Sequence, residues 1–329
     1  MTYETKFYIG LDVHVESTDY VVRAWQGNVL LEGTCASIYS DLKGILEPYY
    51  HSCVIGMEAC TAFYPLRAGF IKDDVSVKIA NVLRIRQLVA TNDRIDARRL
   101  SDMLRLGSFP ESYIPDKEIQ ELRDLVTLRH SFLEELNKAQ SRIWAMLTRK
   151  GIRIQERSLF SQKGFEQVKG AAVSAAGDAN LRFLVAHYET IEKALKESTN
   201  NLKAYARQNF PDEWNKLQEI DGIAELLASY IVAEVCPIIR FSSDKKLRRY
   251  AGVIPVTQDS GGKSFGNRIP KTTSRALLRW AFVQAAHASV KKKGSKLQSY
   301  YKLKKKTKGK GAIMCIARAI SDKVYSKLN

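Results

Sequence analysis

The spacing of apolar residues changes once along this chain, near residue 110, and that change limits the folds open to it. Before it, short apolar runs alternate with helical stretches. Phe7–Val13, Asp19–Trp25 and Val29–Thr34 read as three successive strands with a turn at Gln26-Gly27-Asn28. A helix near Tyr39–Tyr50 follows, then a strand ending at Glu58, a helix from about Tyr64 and a strand at Val75–Ile79. After residue 110 the period is helical. Positions 119, 122, 126, 129, 133, 136, 140, 143 and 147 hold Ile, Leu, Val, Arg, Leu, Leu, Gln, Ile and Leu, seven of nine apolar on a heptad spacing. A second series, Leu181, Leu184, Tyr188, Ile191, Leu195, Ser198, Leu202 and Tyr205, is broken only at Ser198. Two such helices pair antiparallel within one chain or between protomers, and the reading favours a role between protomers.

Three antiparallel strands followed by alternating helices and strands is the order of the ribonuclease H fold. The expectation is therefore an α/β N-terminal domain with a mixed sheet over 1–110, a helical coiled-coil segment over 111–210 and a mainly α C-terminal domain over 211–329. With 329 residues, each part can bury a core. Five cysteines, with no CxxC and no paired histidine spacing, imply neither zinc nor a disulfide framework and suit a reducing cytosol. The opening Met-Thr-Tyr-Glu-Thr-Lys lacks a signal-peptide core, and no run nears the ~18–20 apolar residues of a membrane span. A soluble, cytoplasmic protein is expected. Its charge is uneven: residues 240–329 hold 23 Lys and Arg against 3 Asp and Glu, while residues 1–239 hold 29 against 32. A polyanion is the natural partner for the basic end, through salt-dependent phosphate contacts.

Four acidic residues of the first third stand where catalytic carboxylates would be placed. Asp12 interrupts a buried run, Phe7 to Val13, where a carboxylate is expensive unless it meets a cation or a partner. Glu58 closes the run Cys53-Val54-Ile55-Gly56-Met57-Glu58, and strand ends in α/β sheets are where sites are built. Asn92 to Leu100 reads as the opening of a helix, and a spacing of three would put Asp93 and Asp96 on one helical face. Such a pair also serves as a helix cap. Oxygen ligands without histidine or thiolate argue for Mg²⁺, with Mn²⁺ as the substitute, over zinc.

Towards the C-terminus, Asp221-Gly222 before a helix is either a phosphate-presenting turn or a plain helix connection. The stretch from Gln258 to Arg268 sets Ser260 among glycines, in a loop whose backbone can approach a ligand, with Lys263 beside it. Arg268, Lys271, Arg275 and Arg279 add positive charge, the last three four residues apart on an expected helix, as a phosphate-facing stripe or a solvated face.

These motifs resemble those of the DEDD transposases of bacterial insertion sequences, the one-hundred-ten group. That group is related to the pilin-gene invertases and to bridge-RNA-guided recombinases. Tyr8-Ile9-Gly10-Leu11-Asp12 is similar to the family's first acidic strand, Met57-Glu58-Ala59 to its glutamate, and Asp93-Arg94-Ile95-Asp96-Ala97-Arg98 to its Asp-x-x-Asp-Ala-Arg element. Ala251-Gly252-Val253-Ile254-Pro255 followed by Asp259-Ser260-Gly261 resembles the second-domain motif whose serine is the nucleophile. Cys60-Thr61 and Thr272-Thr273 depart from the family's usual glycine-containing pairs. The resemblance implies a RuvC-like catalytic domain in which Asp12, Glu58, Asp93 and Asp96 hold Mg²⁺. It implies that Ser260 attacks the scissile phosphate, and Arg268 and Lys271 fall where that family has basic residues; with Lys263, Arg275 and Arg279 they are the expected nucleic-acid contacts. It also implies donor and target DNA, a noncoding guide RNA and a dimer or tetramer as partners.

Three other readings compete. A hydrolytic junction endonuclease of the same fold needs only the carboxylates. An actin-like ATPase needs a glycine-rich phosphate loop after its first strand, and Val13-His14-Val15-Glu16-Ser17-Thr18 lacks one. A non-catalytic nucleic-acid-binding protein explains the basic end but not four acids that repel phosphates.

Overall fold

The computed structural model describes residues 5–60, 62–82, 84–85, 96–156, 158–174, 179–254 and 275–329, with backbone alone for the strands at 256–260 and 263–268 and for residue 310. The chain divides into two compact units, Met1–Ile114 and Pro115–Asn329.

The first unit is built on a five-stranded mixed sheet in the order β3-β2-β1-β4-β5. The strands are β1 (Phe7–Val13), β2 (Ser17–Ala24), β3 (Val29–Ala36), β4 (Cys53–Glu58) and β5 (Ser76–Ala80). β1 pairs antiparallel with β2 and parallel with β4, and β4 pairs parallel with β5. The period of two sorts β1 into Ile9, Leu11 and Val13 on one face and Tyr8, Gly10 and Asp12 on the other. The first set joins a core with Ile55 and Met57 of β4. Helices α1 (Tyr39–Leu46) and α2 (Phe63–Lys72) cover it with Leu42, Leu46, Phe63, Leu66 and Phe70. The other face receives α3 (Ala97–Arg105), whose Leu100 packs with Ala80 and Ile85.

Among the described residues, the second unit is helical but for one ribbon. α4 (Lys117–Arg149) and α6 (Ala179–Asn209) run antiparallel: the Tyr205 hydroxyl donates to Glu121 at 2.7 Å near one end, and Leu136, Ile143 and Leu147 pack with Leu181, Val185 and Tyr188 towards the other. Between them in sequence, α5 (Gln162–Ser174) adds Phe165 and Val168 to that core. α7 (Pro211–Gln218), α8 (Glu225–Val235), α9 (Asp244–Ala251), α10 (Ala276–Ser289), α11 (Lys296–Lys308) and α12 (Ala312–Leu328) form the rest. α8 is buried from Ala228 to Val235, so it reads as an apolar run with no polar stripe and lies at the centre of the core. The antiparallel strands β6 (Val256–Ser260) and β7 (Lys263–Arg268) leave the helices between α9 and α10.

The expected role of the heptad seam between protomers is corrected here. Ile119, Leu122, Val126, Leu136, Ile143 and Leu147 are buried within one chain, by α6 along most of the length and by α8 at the N-terminal end. A heptad spacing reports that a seam is packed, not which chain fills it.

Candidate active site

In the first unit, two glycines set the geometry. Gly10 and Gly56 are Cα partners on the parallel strands β1 and β4, on the face away from the α1–α2 core. A Cβ on Gly10 would stand 2.0 Å from the Ala97 carbonyl oxygen and 2.7 Å from the Ser101 nitrogen, so the backbone of α3 lies directly on the strand. A Cβ on Gly56 would meet Leu104 at 2.8 Å and Phe109 at 2.7 Å. Two residues beyond each glycine, on the same face and at the C-terminal strand ends, come Asp12 and Glu58. The helix that touches Gly10 through its first residue, Ala97, thereby brings Asp96 near Asp12. Side-chain contacts hold α3 in place, with Arg98 bonded to Glu32 of β3 at 2.6 Å and Arg23 of β2 to Ser101 at 3.3 Å.

Asp96 is not on the helix. Its backbone is extended, and its Oδ1 accepts the Arg99 amide at 2.7 Å, so it is the N-cap and α3 begins one residue later. This corrects the expectation of a helical face shared by Asp93 and Asp96. Asp93 lies outside the described residues. Capping leaves the second carboxylate oxygen of Asp96 for other work, so the two readings of that aspartate are compatible.

The Asp12 side chain is 19% exposed, with His14 Nε2 at 3.6 Å from its Oδ2. Burial pushes its carboxyl above the usual range; His14 opposes this, while the nearby charges of Asp19 and Asp96 push the same way. Asp19, the Cα partner of Asp12 on β2, accepts the Thr34 hydroxyl at 2.5 Å and lines a shallow groove with Glu32, Thr34, Asp96 and Arg98. Sequence reasoning missed Asp19. The antiparallel register about the turn closed by His14 N and Ser17 O at 2.9 Å was the signal that pairs it with Asp12. The Cys60 thiol donates to the Val13 carbonyl at 3.4 Å, tying the segment after β4 to the end of β1.

A partly desolvated Asp12 whose proton affinity is raised by burial and by the charges of Asp19 and Asp96 suits a hard divalent cation, and an all-oxygen donor set fits Mg²⁺ or Mn²⁺. Among the described residues, no three acidic, histidine or cysteine side chains converge closely enough to hold a metal ion on their own.

In the second unit, Ser260 is the last residue of β6 and Lys263, its Cα partner, the first of β7. The serine therefore ends a strand, where a loop was expected. Arg268 ends β7, and Lys271 lies outside the described residues. The expected helical stripe is not formed. α10 begins at Ala276, Arg275 is its N-cap residue, and the Arg275 guanidinium is bonded to the buried Glu234 carboxylate at 2.8 and 3.0 Å. Arg279 lies in the first turn of α10 and is half-buried. The Asp221-Gly222 turn packs on α10: a Cβ on Gly222 would stand 2.2 Å from the Ala285 carbonyl, and the Ile223 amide is bonded to Ile220 O at 3.0 Å. That glycine is explained by packing, with its φ of +94°. The lysine-rich stretch forms α11, where Lys304 lies over the Tyr300 ring at 5.3 Å.

Among the described residues, no helix is long and apolar enough to cross a membrane. Residues 9–151 match the DEDD transposase family of the IS110 type, and residues 215–302 match the Transposase IS116/IS110/IS902 family. Between them the two matches take in well over half of the chain. The chain is 22% identical over 241 residues to the transposase for insertion sequence element IS1111A of Coxiella burnetii, covering 72% of this chain and 65% of that protein. It is 24% identical over 181 residues to the insertion element IS116 uncharacterized 44.8 kDa protein of Streptomyces clavuligerus, covering 54% of this chain and 45% of that one. The aligned part thus spans less than two thirds of either relative.

Proposed function

The chain belongs to the IS116/IS110/IS902 family of DEDD transposases, and from that premise we propose that it cuts and rejoins DNA strands to move an insertion sequence. The observation that carries this reading is α3 seated on Gly10, which brings the Asp96 cap near Asp12 at the C-terminal end of β1. The strand order β3-β2-β1-β4-β5 supports a ribonuclease H, RuvC-like assignment of the first unit.

In this reading Asp12, Glu58, Asp93 and Asp96 hold Mg²⁺, with Mn²⁺ able to replace it. When bound, such an ion stabilises negative charge on the attacking oxygen and on the phosphoryl oxygens. Asp12, partly desolvated and beside other acids, would be relieved by such a counter-charge. Ser260 supplies the nucleophile. Its Oγ forms a bond to the scissile phosphorus, the bond from phosphorus to O3′ breaks, and the hydroxyl proton is balanced by the one taken up at the released 3′ oxygen. The phosphoserine preserves the energy of the phosphodiester, so attack by another 3′ hydroxyl rejoins strands and frees the serine.

Basic residues of 240–329, Lys263, Arg268, Lys271 and Arg279 among them, serve as phosphate contacts to donor and target DNA and to a noncoding guide RNA. Base pairing to that RNA supplies sequence choice, as in other guided systems. Assembly as a dimer or tetramer belongs to this reading and uses surfaces other than the buried heptad seam. The work is done in the cytoplasm, on the nucleoid.

The test is strand cleavage of DNA carrying the element's ends, with and without the transcript of its flanking noncoding DNA. Cleavage that requires Mg²⁺ or Mn²⁺ and the transcript, and is lost in Asp12→Ala and Glu58→Ala, is the expected result. Binding that survives both substitutions, with no cleavage under any metal, would leave only a nucleic-acid-binding protein.

A further inference from the structure

Glu234 is a carboxylate only 3% exposed, the penultimate residue of α8 in an otherwise apolar stretch. The chemistry above does not use it. Arg275 meets it with a fork, Nε donating to Oε2 at 2.8 Å and Nη2 to Oε1 at 3.0 Å, and the Tyr250 hydroxyl donates to Oε2 at 3.2 Å. Arg123 Nη2 lies 3.9 Å from the same oxygen, while its Nε donates to the Ala233 carbonyl at 2.8 Å. Arg240 Nη2 donates to the Glu234 carbonyl at 2.5 Å, its guanidinium over the rings of Phe241 and Tyr250 at 4.2 and 4.7 Å. A carboxylate this deep persists only when paired, and a forked arginine fixes direction as well as charge.

Tyr250 and Arg275 flank the β6–β7 ribbon in sequence. The Arg275 amide donates to the Tyr250 carbonyl at 3.0 Å, so the chain leaves and re-enters the helical core side by side. Three residues past Tyr250, the Val253 carbonyl accepts Arg318 Nε at 2.6 Å. One buried carboxylate therefore ties together both roots of the ribbon whose first strand ends at Ser260.

We infer that Glu234 is a positioning residue for that ribbon, acting through Arg275 and Tyr250 to set where Ser260 is delivered. This rests on the reading of Ser260 as the nucleophile. It also moves Arg275 from the phosphate-contacting group to the scaffold of the serine.

The experiment compares the full chain with Glu234→Gln, Arg275→Lys and the double variant. Glutamine keeps the shape but cannot balance a guanidinium; lysine keeps the charge a phosphate contact needs but loses the fork. Both single variants are expected to slow covalent protein–DNA adduct formation by about 100-fold, the scale of a 1 Å misplacement, at unchanged affinity for the same DNA. The double variant should be no slower than the slower single, because the two act as one unit. Hydrogen exchange should quicken in 256–260 and 263–268 while α10 and α12 stay as protected as in wild type. Full adduct formation in Arg275→Lys, losses that add in the double variant, weakened DNA binding that accounts for the slower rate, or protection lost throughout the second unit would each overturn the inference. If Ser260→Ala still forms the adduct, the nucleophile assignment has failed, and the exchange pattern alone decides whether Glu234 anchors the ribbon.

Discussion

Gly10→Ala tests whether the close seat of α3 is what assembles the acidic site. The added Cβ would lie 2.0 Å from the Ala97 carbonyl oxygen, 2.9 Å from its carbon and 2.7 Å from the Ser101 nitrogen. All three are backbone atoms of a helix, so no side chain can swing aside. To reach an ordinary contact of 3.4 Å the carbonyl must retreat by about 1.4 Å. Forcing a methyl into such a seat costs about 1–3 kcal/mol, and melting of the first unit should fall by roughly 4 °C or more for each kcal/mol. The functional cost is separate: Asp96 leaves with the helix end, and a displacement above 1 Å lowers cleavage by about 100-fold. Gly44→Ala is the control, since nothing lies within 4 Å of a Cβ there, and alanine within α1 should be neutral or stabilising by about 0.5–1 kcal/mol. Thermal melting and divalent-dependent strand cleavage are measured on the same samples. Gly10→Ala with wild-type melting and wild-type cleavage would refute the argument that α3 positions Asp96 by direct contact.

Two further outcomes separate roles that coincide on single residues. Because folding raises the Asp12 carboxyl chiefly through burial, the folded state binds that proton more tightly, and stability falls as pH rises from the ordinary aspartate range through the raised value. Asp12→Asn should therefore melt higher than wild type in EDTA at neutral pH and lack that slope, while Mg²⁺ stabilises wild type alone; a lower melting temperature for Asp12→Asn in EDTA would show the carboxylate to be structural. Asp96→Ser keeps a cap for the Arg99 amide whereas Asp96→Ala does not, so alanine should cost about 1 kcal/mol of stability and serine little, with cleavage lost in both; cleavage retained by Asp96→Ser would restrict Asp96 to capping.

Much of the first unit could be read from the chain because its signals are local. β1 and β4 fall on the residues expected, Phe7–Val13 and Cys53–Glu58, since each is a short, nearly continuous apolar run of strand length. The start of α3 was less legible. An aspartate three residues before an amide looks alike as a cap and as a first-turn residue, and only the extended backbone of Asp96 separates them. Gly10 and Gly56 carried no local sign that a helix would lie across them, because the contact joins residues some 90 and 50 positions apart. The same limit hid the partner of Arg275. A spacing of four suggested a solvent-facing stripe, while Glu234 sits 41 residues away inside an apolar run that reads as plain core. Heptad periodicity located α4 and α6 but was silent on whether their seam closes within the chain, as it does.

The proposed reaction turns on one covalent step, in which strand transfer passes through a phosphoserine at position 260. Full chain, element-end DNA and flanking transcript are incubated with Mg²⁺, denatured and digested, and the peptides are searched by mass spectrometry for an attached nucleotide. A nucleotide on the peptide containing Ser260, absent from Ser260→Ala and from Asp12→Ala, is the expected result. Mg²⁺-dependent cutting with no modified peptide, undiminished in Ser260→Ala, would contradict it and leave a hydrolytic, junction-cleaving endonuclease in its place.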